Sequence, residues 1–368
     1  MSPEWVIMLL GVVLVVACVL PGCFLVLRKM SLMSDAISHA GLLGIVLVFI
    51  SVKQLDTVWL LVGASIMGLI TVLLTEALIA TKRLHSDAAI GLVFPLFFSI
   101  GVVLINKLAT SVHLDSDCIL FGEIAYAPFN TLTMAGLVLG PKSLWVMGFI
   151  LCMNVALLGI FYKELKLATF DNGLSFIFGF KPRLMHYGLM IVTSITAVGA
   201  FESVGSILVV ALMIAPPATA YLLTRRLSHM IGVSILVGIM AVFTGYGFAN
   251  IMDASIAGAM ATMTGVCFLC AFCFGPEHGI VPKLVRFKQQ KTAFSARMLL
   301  VQLLEHETQS DQHHENTITN MICHMGWEER FSLRIATYCV RKNYIQRQGN
   351  ALYLTGLGRE IARESELM

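Results

Sequence analysis

Apolar residues run along this chain in long unbroken blocks, neither alternating nor confined to one helical stripe. A helix needs about 20 such residues to cross the hydrocarbon core of a bilayer. Blocks of that kind occur at Trp5–Leu27, Ser31–Ile50, Thr57–Thr81, Ala88–Ile105, Ser143–Tyr162, His186–Ala200, Ser203–Thr224, His229–Asn250 and Ala254–Phe274. The pattern predicts nine membrane-spanning helices, with the two termini on opposite sides. Thr131–Gly140 is apolar but too short to cross, and is expected to lie at the interface or re-enter. No Lys or Arg precedes the first block, so it reads as a retained span and not a cleaved signal.

Composition fits that picture. Of 368 residues, 57% are hydrophobic and 13% charged, against roughly 25% charged in soluble domains. Basic residues sort by connection. One alternate set holds Arg28, Lys29, Lys82, Arg83, Lys163, Lys166, Lys181, Arg183, Arg225 and Arg226; the other holds Lys53, Lys107 and Lys142. The positive-inside rule makes the first set cytoplasmic, placing the N-terminus outside and the C-terminus inside. The outer connections then carry Glu4, Asp56, Asp115, Asp117, Glu123, Glu202 and Asp253, an acidic mouth that would attract cations. Charge is denser after residue 283, which divides the chain into a membrane domain (1–283) and a small cytoplasmic tail (284–368).

Ionisable groups inside a span are costly and so point to function. In SLMSDAISHAGLLG, Asp35 and His39 lie four residues apart and share one helix face. A carboxylate and an imidazole there make half a coordination shell for a divalent ion such as manganese, zinc or iron; a buried hydrogen-bonded pair, or Asp35 as a helix cap, is the alternative. Glu76, near the cytoplasmic end of its span, is expected to snorkel. His113, Asp115 and Asp117 are expected in a solvated loop. The pair Pro216 and Pro217 interrupts the seventh span, removing two backbone donors, and a break there could line a pathway. Ala257, Ala261 and Gly265, and Ala64 with Gly68, give small faces for helix contact.

Nine cysteines give no disulfide framework, and Cys267, Cys270 and Cys273 are expected to pack in the core. No nucleotide-binding loop, zinc-protease motif or nucleophile elbow is present. The chain thus reads as non-catalytic and without a permanently bound cofactor.

Several separated motifs carry a resemblance. GCFLVLRKMSLMSDAISHAGLLG, KELKLATFDNGLSFIFGF, SVGSILVVALMIAPPATAYLL, FGEI and FGPEHGIV resemble, in order, the permease subunits of bacterial ABC importers for manganese, zinc and iron over residues 5–283. The resemblance implies an inner-membrane protein in lipid that pairs with a second permease subunit, identical or paralogous. A cytoplasmic ATPase and an extracytoplasmic metal-binding protein complete the importer. It also implies that Asp35 and His39 contact the transported ion, and that Phe170, Asp171 and Gly179 belong to the ATPase-docking loop. Asn172-Gly173 and Ser175 depart from the Pro-Glu and alanine usual in that loop. Independently, the stretch Lys163–Arg183 is long for a bundle connection and carries apolar triplets, as a short helix inserted in a partner's cleft would. An ion-coupled secondary transporter, a permease for a metal chelate and a membrane-tethered regulator are the rival readings.

In the tail, Thr292–Gln309, Asn316–Met325 and Ser332–Lys342 predict helices. A two-strand wing turning at Gly349-Asn350 and a last helix follow, giving an all-α membrane domain plus a small α+β winged-helix-like domain. The tail's excess of two basic charges (11 against 9) is too small to make DNA an expected partner. The cluster Glu305, His306, Glu307, His313, His314 and Glu315 is expected to be solvated linker.

Overall fold

A computed structural model describes residues 3–52, 57–108, 124–129, 131–134, 137–276, 279–307, 325–348 and 351–366. It falls into two compact units, Met1–Gly279 and Ile280–Met368. In the first, nine helices among the described residues are long and apolar enough to span a membrane. They are α1 (Pro3–Leu27), α2 (Leu32–Val52), α3 (Thr57–Ala80), α4 (Ser86–Leu108), α5 (Lys142–Ile160), α8 (Pro182–Val204), α9 (Ser206–Leu223), α10 (Leu227–Met252) and α11 (Ile256–Phe274). Short helices α6 (Tyr162–Phe170) and α7 (Asn172–Ile177) fill the connection between α5 and α8. Helices are what these sequences must form in lipid, because only there does each backbone N–H and C=O find a partner within its own segment.

The expected spans are all present, with ends shifted by a few residues. One segment without a predicted element takes a definite form, and one expected interruption is absent. The short segment before α5 is an antiparallel hairpin, β1 (Thr131–Met134) with β2 (Leu137–Pro141), pairing Thr133 with Val138 and Met134 with Leu137. Its Thr- and Val-containing run suits paired strands, which satisfy their backbone groups at less length than a helix needs. The proline pair does not interrupt α9, which runs unbroken from Ser206 to Leu223 with both prolines buried.

Packing explains that continuity. Pro216 and Pro217 leave the carbonyls of Leu212 and Met213 without their helical donors. Gly22 of α1 lies against the second of these: a Cβ built on it would stand 2.2 Å from the Met213 oxygen and 3.2 Å from Pro217 Cγ. The freed carbonyl is therefore covered by a neighbouring backbone. The same close approach joins α2 to α3, where a Cβ on Gly44 would stand 2.4 Å from the Gly63 oxygen. Around these contacts α1 packs on α5, α9 and α10; α2 packs on α3 and α4; α8 touches members of both groups. Asn154 of α5 is fully buried and donates to the Ala17 carbonyl (3.0 Å) and to Thr196 Oγ1 (2.8 Å), tying α5 to α1 and α8.

Of the expected small faces, Ala64 is buried and Gly68 abuts Ser194, but Gly265 has nothing within 4 Å of where a Cβ would stand. Cys270 is exposed and Cys267 and Cys273 are half-buried, so this trio lies on the outer side of α11 and not in the core. Their three-residue spacing drifts round the helix and carries them off its packed face. Trp5, Trp59 and Trp145 are all exposed, at the starts of the first, third and fifth spans and hence on one side of the bundle. Tryptophans favour the membrane–water interface.

The second unit holds α12 (Ile280–Glu307), α13 (Glu329–Arg341), the antiparallel hairpin β3 (Ile345–Gln348) with β4 (Ala351–Leu354), and α14 (Gly356–Glu366). The helix α12 begins earlier than expected; most of Asn316–Met325 and the turn at 349–350 lie outside the described residues. Leu299, Leu300, Leu303, Ile335, Cys339, Ile345, Leu352 and Ala362 form its core. Burial pushes the Cys339 thiol up to about 12, so it packs as a small hydrophobe. Arg359 of α14 makes a two-pronged pair with Glu307 of α12 (2.9 and 3.0 Å).

The Gly22 contact yields a sharp test. Gly22→Ala puts a methyl onto the Met213 carbonyl and should cost about 1–3 kcal/mol, as overpacking does, read as a lower melting temperature of the purified chain. Gly148→Ala, whose Cβ would meet nothing within 4 Å, should leave it unchanged or slightly higher.

Candidate metal site and coupling surface

Asp35 sits in the first turn of α2, where the helix dipole favours a carboxylate. One turn on, His39 Nε2 approaches Asp35 Oδ1 at 3.2 Å, with both side chains partly exposed. Two ligands at about 2.1 Å from one metal ion and at right angles to each other stand about 3 Å apart. The observed separation therefore suits a cis pair of ligands, the imidazole proton giving way to the ion. Buried Ala36, Ala40, Gly41 and Gly44 flank the pair on α2, and Phe94 and Phe98 of α4 face the His39 ring at 5.9 and 5.5 Å. No third His, Cys, Asp or Glu joins the pair among the described residues. Side chains of His113, Asp115, Asp117, Glu123 and Glu202 lie outside what is described.

A second carboxylate–imidazole pair went unread in the sequence. Glu76 of α3 does not snorkel: it is half-buried and bonded to Nε2 of His186 on α8. Arg28, just after α1, donates one Nη to His186 Nδ1 (2.9 Å) and Nε to Thr169 Oγ1 of α6 (3.1 Å). A guanidinium only donates, so Nδ1 of His186 is the acceptor and Nε2 carries the proton given to Glu76. Burial lowers the Arg28 pKa from its ordinary value, although an arginine starts so high that it stays charged. A cavity of about 660 Å³ opens beside Arg28, Glu76, Thr169 and His186. The one available signal was an ionisable residue near the end of each of two spans; nothing in linear sequence pairs positions 110 residues apart.

The connection α6–α7 is built to present an apolar surface. Asp171 caps α7, its carboxylate accepting from Leu174 N–H at 2.9 Å. Gly179 ends the turn at φ +81°, a left-handed conformation that favours glycine, and Pro182 opens α8 in its first turn. Phe170, just before the cap, and Phe176, Ile177 and Phe178, between these stops, are 62–78% exposed. Four large apolar side chains pushed outward on so short a segment mark a surface meant to be covered. The sequence-chosen Phe170, Asp171 and Gly179 therefore meet in one knob, whereas Pro216 and Pro217 lie apart, within the contact of α9 with α1.

The model of the ABC 3 transport family matches residues 5–275, the whole run of spanning helices. The chain belongs to the ABC 3 transport family. The manganese transport system membrane protein MntD of Bacillus subtilis (strain 168) is 46% identical over 286 residues, covering 78% of this chain and 97% of its own. The zinc transport system membrane protein TroD of Treponema pallidum (strain Nichols) is 43% identical over 357 residues and 97% of both chains. The TroD match thus continues through the second unit, whereas the MntD match leaves about a fifth of this chain uncovered. Among solved structures, PsaBC from Streptococcus pneumoniae in complex with Fab superposes with a TM-score of 0.63 at 30% identity, over 76% of this chain and 94% of that one.

In this family member the Asp171 cap should be measurable. Asp171→Ala removes about 1 kcal/mol from α7, so backbone amides of residues 172–178 should exchange hydrogen about fivefold faster. Asp171→Asn, which still accepts from Leu174 N–H, should exchange at nearly the parent rate.

Proposed function

We propose that this chain is the permease subunit of an ATP-driven importer for a divalent transition metal: manganese, zinc or iron. The observation that carries the reading is the Asp35–His39 pair, a carboxylate and an imidazole 3.2 Å apart on a membrane helix of an ABC 3 family chain. Its relatives' names speak for manganese and zinc, and that of a Haemophilus influenzae relative, 32% identical, for iron. Carboxylate plus imidazole suits all three ions, and metals would be substrates passing through, not residents.

The permease itself does no chemistry. A separate ATPase docks on the exposed knob of α7, whose apolar residues would fill a cleft in it. An extracytoplasmic binding protein delivers the ion to the acidic side, and a second permease subunit, identical or paralogous, closes the pathway. The basic connections, Arg28 and Lys29 among them, face the cytoplasm, which puts the knob and the C-terminus inside and Trp5, Trp59 and Trp145 at the outer interface. The second unit, whose described residues form α12, α13, a hairpin and a closing helix, we read as a winged-helix-like module for protein contact or for regulation of transport.

Metal accumulation tests the reading. Cells carrying the intact chain with its ATPase and binding protein should accumulate one of the three metals. Asp35→Ala and His39→Ala should each lower that by at least about tenfold at equal protein levels, and so should omission of the ATPase. Uptake that survives both substitutions removes the pair from the pathway; uptake that survives without the ATPase makes the chain a secondary transporter.

A further inference from the structure

The end of α1 gathers polar side chains from three other helices at one guanidinium. Thr169, on α6, immediately precedes Phe170 and the Asp171 cap of the exposed knob. Its hydroxyl holds Arg28 Nε at 3.1 Å, and the same guanidinium holds His186 Nδ1 at 2.9 Å. His186, one turn into α8, passes its Nε2 proton into a hydrogen bond with Glu76 of α3. Farther along α3, Gly63 lies against Gly44 of α2, the helix that carries Asp35 and His39. One run of contacts thus leads from the knob to the metal pair.

Two details set this run apart from an ordinary buried network. Arg28's remaining Nη2 is buried with no acceptor among the described residues. A buried donor of a charged group left unpaired is costly and so asks for a reason. The imidazole is also committed in both directions, accepting at Nδ1 and donating at Nε2, so a displacement of the ring disturbs both bonds together.

We propose that Arg28, His186 and Glu76 are positioning residues that transmit displacement of the α6–α7 knob to α3, and through it to the metal-bearing helix. This rests on the ATPase-coupled reading above. The relay does not contact the ion: with the Arg28 cation beside it, the Glu76–His186 pair is a poor place for a metal. Its role is to make movement at the docking surface and movement at the pathway one event.

The full complex in proteoliposomes, with ATPase and binding protein, tests this through the number of metal ions imported per ATP hydrolysed. Manganese, zinc and iron(II) would each be supplied alone. Arg28→Ala and His186→Ala should each lower that ratio by about tenfold, the size of one charge-assisted hydrogen bond, while ATP hydrolysis stays within about twofold. The double variant should be no worse than either single one, because both cut the same link. Glu76→Gln, which still accepts from His186, should keep a near-parental ratio. Arg28→Lys, which keeps the charge but cannot fork to two partners, should assemble normally and lose coupling, and it decides the matter where Arg28→Ala does not assemble. An unchanged ratio in Arg28→Lys, a double variant about a hundredfold down, or hydrolysis falling in step with import overturns the relay. If the parent complex imports no metal even with ATP, the ATPase-coupled reading falls first and the relay with it.

Discussion

Backbone-to-backbone contact between helices is the constraint on which the rest of this membrane unit depends. In lipid, an apolar side chain gains nothing by moving from acyl chains to a neighbouring helix, so association must come from close packing and from polar groups that find partners. Gly44 on Gly63 and Gly22 on Met213 supply the first; Asn154, bound to Ala17 and Thr196, supplies the second. Each contact fixes the register of two helices, because a slide of one residue would drive a side chain into a carbonyl. The position of α2, and so of Asp35 and His39, is set by its neighbour α3 as much as by its own sequence.

That constraint also explains how α9 keeps two prolines. A proline in a soluble helix exposes the freed carbonyl to water, which accepts it; in the membrane the carbonyl needs cover from protein. Here the cover for Met213 is the bare Cα of Gly22. The proline pair and the glycine form a single packing unit across two helices 190 residues apart in sequence, and the helix stays whole.

What could be read from sequence divides along the same line. Spans were legible because 20-residue apolar blocks have few alternatives in any environment, and the Asp35–His39 contact was legible because four-residue spacing fixes a face. Asp171 and Gly179 were marked only through the family resemblance, and their cap and left-handed turn came from the structure. The continuity of α9 was not, since it depends on Gly22, whose partner no local rule identifies. Glu76 was misjudged for a related reason: distance to the end of a span says that a side chain can reach water, but not that a histidine on α8 is nearer. The hairpin at 131–141 escaped because an apolar run of that length is compatible with several interfacial forms, and only pairing of its two halves selects one.

Two carboxylate–imidazole pairs in one bundle show how surroundings, not residue types, assign a task. At Asp35–His39 the neighbours are small residues and the rings of Phe94 and Phe98, and among the described residues no Lys or Arg pairs with Asp35. At Glu76–His186 the imidazole's second nitrogen is already held by a guanidinium, so a metal would meet a positive charge and a ligand with no free lone pair on that side. The first arrangement can exchange a proton for an ion at little electrostatic cost. The second can only be kept or broken. The transport proposed above would need both properties, a place where an ion binds and a place where movement is enforced, and α3 lies between the two pairs: its Gly63 end meets the helix of the first, and its Glu76 end is half of the second.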